Sequence, residues 1–140
     1  MLGNSSIDKI GVFVSNYKKA LIFYKDILKL KAVWESEEGK NAGFRVGSNL
    51  LIIQEDKKQV KSGGPRLYFT VRDIERVRQK LVKKQVDCSQ VKDYGDFKLV
   101  NFADEDENRF GLMEPVEAYI PIVEEYLNRK LSIRNKRIKG

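Results

Sequence analysis

Residue types that usually carry chemistry are sparse in this chain, and the gaps narrow its options. There is no histidine among its 140 residues, so neither a Ser-His-Asp triad nor a Cys-His pair can activate a nucleophile. Cys88 is the only cysteine. It cannot close an internal disulfide, and a lone thiol in a strand-like stretch usually packs as a small hydrophobe. The acidic run Asp104, Glu105, Asp106 and Glu107 has a calcium loop's composition without the full Asp-x-Asp-x-Asp-Gly pattern or the terminal bidentate Glu, and reads as a turn. No catalytic residue is assigned.

The cations say more. The chain carries 27 basic and 20 acidic residues, a net charge of +7. Six of the basic residues, Arg129, Lys130, Arg134, Lys136, Arg137 and Lys139, crowd the last twelve positions with no acid among them. Without them the charges nearly balance, so a solvated tail is expected and a nucleic-acid-binding face is not. The longest apolar runs, such as residues 50–53, are too short to span a bilayer. With no signal-like start and a single thiol, a soluble protein of the reducing cytoplasm is expected.

The elements that must position any site follow from periodicity. Residues 7–14 are strand-prone, Ser15 and Asn16 suit a helix N-cap, and Ala20, Phe23, Tyr24, Ile27 and Leu28 share one helical face. Strand formers then recur over 31–36, 42–46 and 50–54, separated by Gly-containing turns. After the break at Ser62-Gly63-Gly64-Pro65 the order restarts. A strand over 67–71 precedes Asp73 as cap, a helix with Ile74, Val77 and Leu81 inward, and strands at 86–90, 97–102 and 109–114. Sliding one half onto the other by 57 residues pairs Ile10 with Leu67, Val14 with Val71, Asn16 with Asp73 and Ala20 with Val77. An internal duplication of a βαβββ unit is the reading. Two modules, about 7–55 and 65–114, then make a domain over 1–115. Residues 116–140 supply an amphipathic helix, with Tyr119, Ile122, Val123, Tyr126 and Leu127 on one face, and the basic tail.

Several segments resemble the vicinal-oxygen-chelate superfamily, which includes glyoxalases, bleomycin-resistance proteins and extradiol dioxygenases. They are the strand over 7–14 with the helix ending Phe23-Tyr24-Lys25-Asp26-Ile27-Leu28, the entry Leu67-Tyr68-Phe69-Thr70-Val71-Arg72-Asp73-Ile74, and the turn Phe102-Ala103-Asp104-Glu105-Asp106-Glu107-Asn108-Arg109. In that turn Glu105 and Glu107 stand where the family usually has Pro and Gly. The resemblance implies an α+β fold in which two βαβββ modules form a curved mixed sheet, with a C-terminal helix added. It also implies a homodimer, since such proteins commonly share sheets across a two-fold axis.

Metal enzymes of the family place four ligands inside the sheet. By this resemblance the ligand positions fall at Lys9, Ile52, Arg66 and Gly111, none of which is a metal donor. Glu55 and Glu114 are nearby carboxylates, but two alone would hold a divalent ion weakly. No metal and no cofactor is expected.

If Lys9 faces the cavity, alternation places Gly11 and Phe13 beside it, and likewise Leu50, Ile52 and Gln54, then Arg66, Tyr68 and Thr70, then Arg109, Gly111 and Met113. The candidate ligand-binding residues are Lys9, Phe13, Ile52, Gln54, Arg66, Tyr68, Arg109 and Gly111: an apolar lining with interspersed cations. Lys9 and Arg66 are related by the repeat. They either hold an anion, or snorkel to the rim and pair with nearby acids. Trp34 fits core packing better than a pocket or dimer seam. The expected function is metal-independent binding of a small, anionic, partly apolar molecule. A metal-independent enzyme using Lys, Tyr or Arg, and an interaction module acting through residues 116–140, are the alternatives.

Overall fold

Asn16 and Asp73 open the two helices in the same way: each side chain accepts a hydrogen bond from the backbone N–H three residues on, Lys19 at 3.1 Å and Arg76 at 3.2 Å. A cap of this kind stabilises a helix by about 1 kcal/mol. In the computed structural model, which describes residues 1–61, 63–115 and 128–129, the first module runs β1 (Lys9–Val14), α1 (Tyr17–Leu21), a wider π-helical turn (Ile22–Ile27), β2 (Lys31–Ser36), β3 (Asn41–Val46) and β4 (Asn49–Glu55). The second runs β5 (Leu67–Thr70), α2 (Ile74–Lys83), β6 (Lys92–Asp93), β7 (Phe97–Ala103) and β8 (Arg109–Pro115). The helix expected within 116–131 and the basic tail lie outside the described residues, except for Asn128 and Arg129, which are helical.

Hydrogen bonding divides the expected curved sheet into two four-stranded halves of identical topology, β1-β4-β3-β2 and β5-β8-β7-β6. In each, the first strand runs parallel to the last and the other pairs are antiparallel. Gly11 opposes Ile52 in one half and Tyr68 opposes Gly111 in the other, which matches the 57-residue repeat. β1 and β5 are thus edge strands, and Ile10 and Leu67 meet around the same cavities at the seam between the halves.

One strand differs from expectation. Residues 86–90 form no strand, because Val86 completes the end of α2. Gln85 turns left-handed at φ 66, its N–H reaches the Val82 carbonyl, and the Val86 N–H reaches the Leu81 carbonyl. This is a Schellman closure, which draws the apolar residue after the turn onto the helix, and Val86 is accordingly buried. The outer strand forms later and is only two residues long.

The core joins the modules. Tyr24, Phe44 and Phe110 are fully buried, with Tyr24 about 6 Å from both rings. The π-helical turn, in which the Leu28 N–H reaches back to the Phe23 carbonyl, buries the adjacent aromatics Phe23 and Tyr24 together. The Tyr24 hydroxyl donates to Asp104 Oδ2 at 2.6 Å. Asp104 also accepts from the backbone N–H groups of Asp106 and Asn108 and from Asn108 Nδ2, so its buried carboxylate is fully satisfied. Burial, then the neighbouring Asp104 charge, holds the Tyr24 phenol well above its ordinary pKa.

Candidate functional site

Alternation along β1 leaves Lys9, Gly11 and Phe13 more exposed than Ile10, Val12 and Val14, so the row read from the sequence lies on the sheet face turned away from the helices. Across that face Gly11, Ile52 and Gly43 are in register, with Trp34 beyond them. Trp34 is not core: it is 37% exposed and lies flat on Gly43, where a Cβ would stand 2.3 Å from the indole. Its Nε1–H donates to Asn41, whose amide donates to Gln54. Gln54 in turn donates to the backbone carbonyls of Gly39, Lys40 and Glu55. It therefore serves to hold the β3–β4 corner and the Trp34 ring.

In the second half the same face carries Tyr68, lying on Gly111, where a Cβ would fall 2.6 Å from the phenol ring. Gly111 is thus buried under Tyr68, which is itself 46% exposed. Arg66 donates from one nitrogen to the carbonyls of Phe102 and Phe110, tying the start of β5 to the β7–β8 pair. Two cavities lie nearby, and Lys9 lines neither of them, whereas Arg66 lines one.

Of these, one is a polar cavity of about 600 Å³ lined by Arg66, Asp87, Cys88, Ser89, Asn101 and Arg109 among others. The other, about 370 Å³, lies at the seam, with Ile10, Gly11, Phe13, Pro65 and Leu67 on its walls and Lys61 and Arg109 beside them. Arg109 and Gly63 belong to both. The Arg109 guanidinium has no hydrogen bond or ion pair among the described residues. Ile52 borders neither cavity. Burial pushes the Cys88 thiol up, away from the thiolate a nucleophile needs.

The donor set does not suit a transition metal. Lys9, Ile52, Arg66 and Gly111 offer no neutral imidazole or carboxylate, and among the described residues no three His, Cys, Asp or Glu side chains cluster. Glu55 and Glu114 are already engaged at the helix starts: Glu55 accepts from the Tyr17 N–H at 2.9 Å, and Glu114 from the Ile74 N–H at 3.1 Å. Sequence reasoning missed these roles. The signal was present, since each Glu stands within the last two residues of the last strand of its module.

Two duplicated βαβββ halves, joined by a shared aromatic core and open on one sheet face, define a paired-module α+β protein. The chain belongs to the Glyoxalase/Bleomycin resistance protein/Dioxygenase superfamily, whose family model matches residues 6–112. It is 31% identical over 115 residues to metallothiol transferase FosB of Staphylococcus saprophyticus subsp. saprophyticus, which covers 76% of this chain and 75% of that protein. Solved structures of similar fold include the fosfomycin resistance protein FosX of Listeria monocytogenes, at TM-score 0.70, 15% identity and coverage of 81% and 96% of the two chains. Another is TnmS3, an antibiotic binding protein from Streptomyces sp. CB03234, at TM-score 0.69, 20% identity and coverage of 82% and 99%. No helix among the described residues is long and apolar enough to cross a membrane.

Proposed function

We propose that this chain is a metal-independent small-molecule-binding member of its superfamily, whose ligand is anionic and partly apolar. One observation carries the reading: among the described residues Arg109 has no hydrogen-bond or ion-pair partner, and it lines both a polar and a more apolar cavity. Although Asp87 and Glu107 line the same polar cavity, a guanidinium with its donors uncommitted among the described residues can offer a carboxylate or phosphate a planar fork. Phe13 and the β1 and β5 side chains at the seam supply apolar contact, and Tyr68 offers a flat ring on the adjoining face. Arg66, with part of its donor capacity used on main-chain carbonyls, borders the polar cavity, and Lys9 contributes positive potential from the open face.

The likeness to a metallothiol transferase favours a second reading, an enzyme of related ancestry working without a metal. No arrangement of the side chains names its reaction. A homodimer in the cytoplasm, with the open sheet faces covered by a second copy, completes the proposal. A thermal-shift screen of small carboxylates and phosphates against neutral and cationic counterparts, on the wild type and on Arg109→Gln, Lys9→Met and Arg66→Met, tests it. Stabilisation by anions that is reduced in the variants supports anion binding. Stabilisation by cations alone would end the proposal, and consumption of a hit in the same samples would favour the enzyme.

A further inference from the structure

We infer that the ligand's apolar part is seated at the seam between the two sheets, in the roughly 370 Å³ cavity that Lys61, Gly64 and Pro65 help to line, with Arg109 holding its anionic end; this rests on the anion-binding reading above. Gly11 carries the argument. It stands in the middle of β1, where glycine weakens a strand by roughly 0.5–1 kcal/mol relative to alanine. No turn demands it there, and a Cβ added to it would meet nothing within 4 Å. The residue therefore gives up strand stability and provides no close packing. It leaves one position in the wall of this cavity without a side chain.

The surroundings specify an occupant. Ile10, Phe13, Pro65 and Leu67 present apolar surface, while Arg109 and Lys61 place two cations beside it. Asn108, also in the wall, is committed elsewhere: its side-chain amide donates to the Phe13 carbonyl and to Asp104. The cavity size is at the small end of ligand pockets, which run from roughly 300 to 1,000 Å³. It suits a single ring or a short branched chain. The neighbouring polar cavity shares Arg109 and Gly63 with it and also carries Asp87 and Glu107, so it suits the hydrated end of a ligand whose anionic group stays at Arg109. The class is thus a small arylalkyl or branched-alkyl carboxylate or phosphate ester.

Titration calorimetry with phenylacetate and phenyl phosphate as probes, and with phenylacetamide and phenethylamine as neutral and cationic controls, tests the seat. Both anions are expected to bind and both controls to bind at least tenfold more weakly; the stronger anion shows whether carboxylate or phosphate is preferred. Arg109→Gln is expected to weaken the better anion about tenfold or more, the loss of one charge-assisted hydrogen bond. Gly11→Leu should weaken it similarly while its melting temperature stays at or above that of the wild type. That opposite movement separates an occupied cavity from a damaged fold. If the anions bind but neither variant changes their affinity, while Lys9→Met does, the seat is overturned and anion binding stands. If no anion binds at millimolar concentration, both proposals fall.

Discussion

Asp104 and Glu107 share one turn with opposite energetic consequences. Asp104 accepts four hydrogen bonds and ties the turn to Tyr24, whereas Glu107 holds a left-handed backbone at φ 63, which costs a side-chain-bearing residue roughly 1 kcal/mol. Glu107→Gly should accordingly raise unfolding stability by up to about 1 kcal/mol in urea titrations. Tyr24→Phe should lower it by about 1.5–3 kcal/mol, the range for a hydrogen bond to a charged group. Glu55 adds a pH dependence. The hydrogen bond from the Tyr17 backbone, ahead of the Lys40 contact, lowers its folded-state pKa below the ordinary carboxylate value. Its contribution is therefore complete at neutral pH, and is lost as pH falls through the depressed folded value. Glu55→Gln should flatten the acid limb of a stability-versus-pH curve and reduce stability at pH 7.

At the scale of elements, what was legible in the sequence was local. Helix faces, the Asn16 and Asp73 caps and the period-two rows on β1, β4, β5 and β8 depend on neighbours a few residues apart, and the duplication repeated each signal. Residues 86–90 failed that logic because a β-branched residue just past a helix can close a Schellman turn instead of starting a strand. Gln85→Gly should confirm the closure by raising stability by up to about 1 kcal/mol, since glycine takes the left-handed position without strain. The candidate site was legible in its faces and not in its partners. Alternation placed Arg109 and Phe13 on the open side, but whether a guanidinium meets carbonyls, as Arg66 does, depends on residues 36 and 44 positions away. Trp34 was misread for the same reason: only the register with Gly43 creates its shelf.

For the whole molecule, the open sheet faces matter most. Phe13, Trp34 and Tyr68 are each more than a third exposed on them, so light scattering at micromolar concentration should find a dimer; a monomer would remove the shared interface. Binding without a metal, as proposed above, would distinguish this chain from its relative named a metallothiol transferase. The most direct measurement is the affinity for phenylacetate, by calorimetry, with the protein first in excess EDTA and then in added zinc or manganese. Metal-independent binding predicts the same dissociation constant in both, within the error of the titration. Binding that vanishes in EDTA and returns with one metal ion per chain would contradict it.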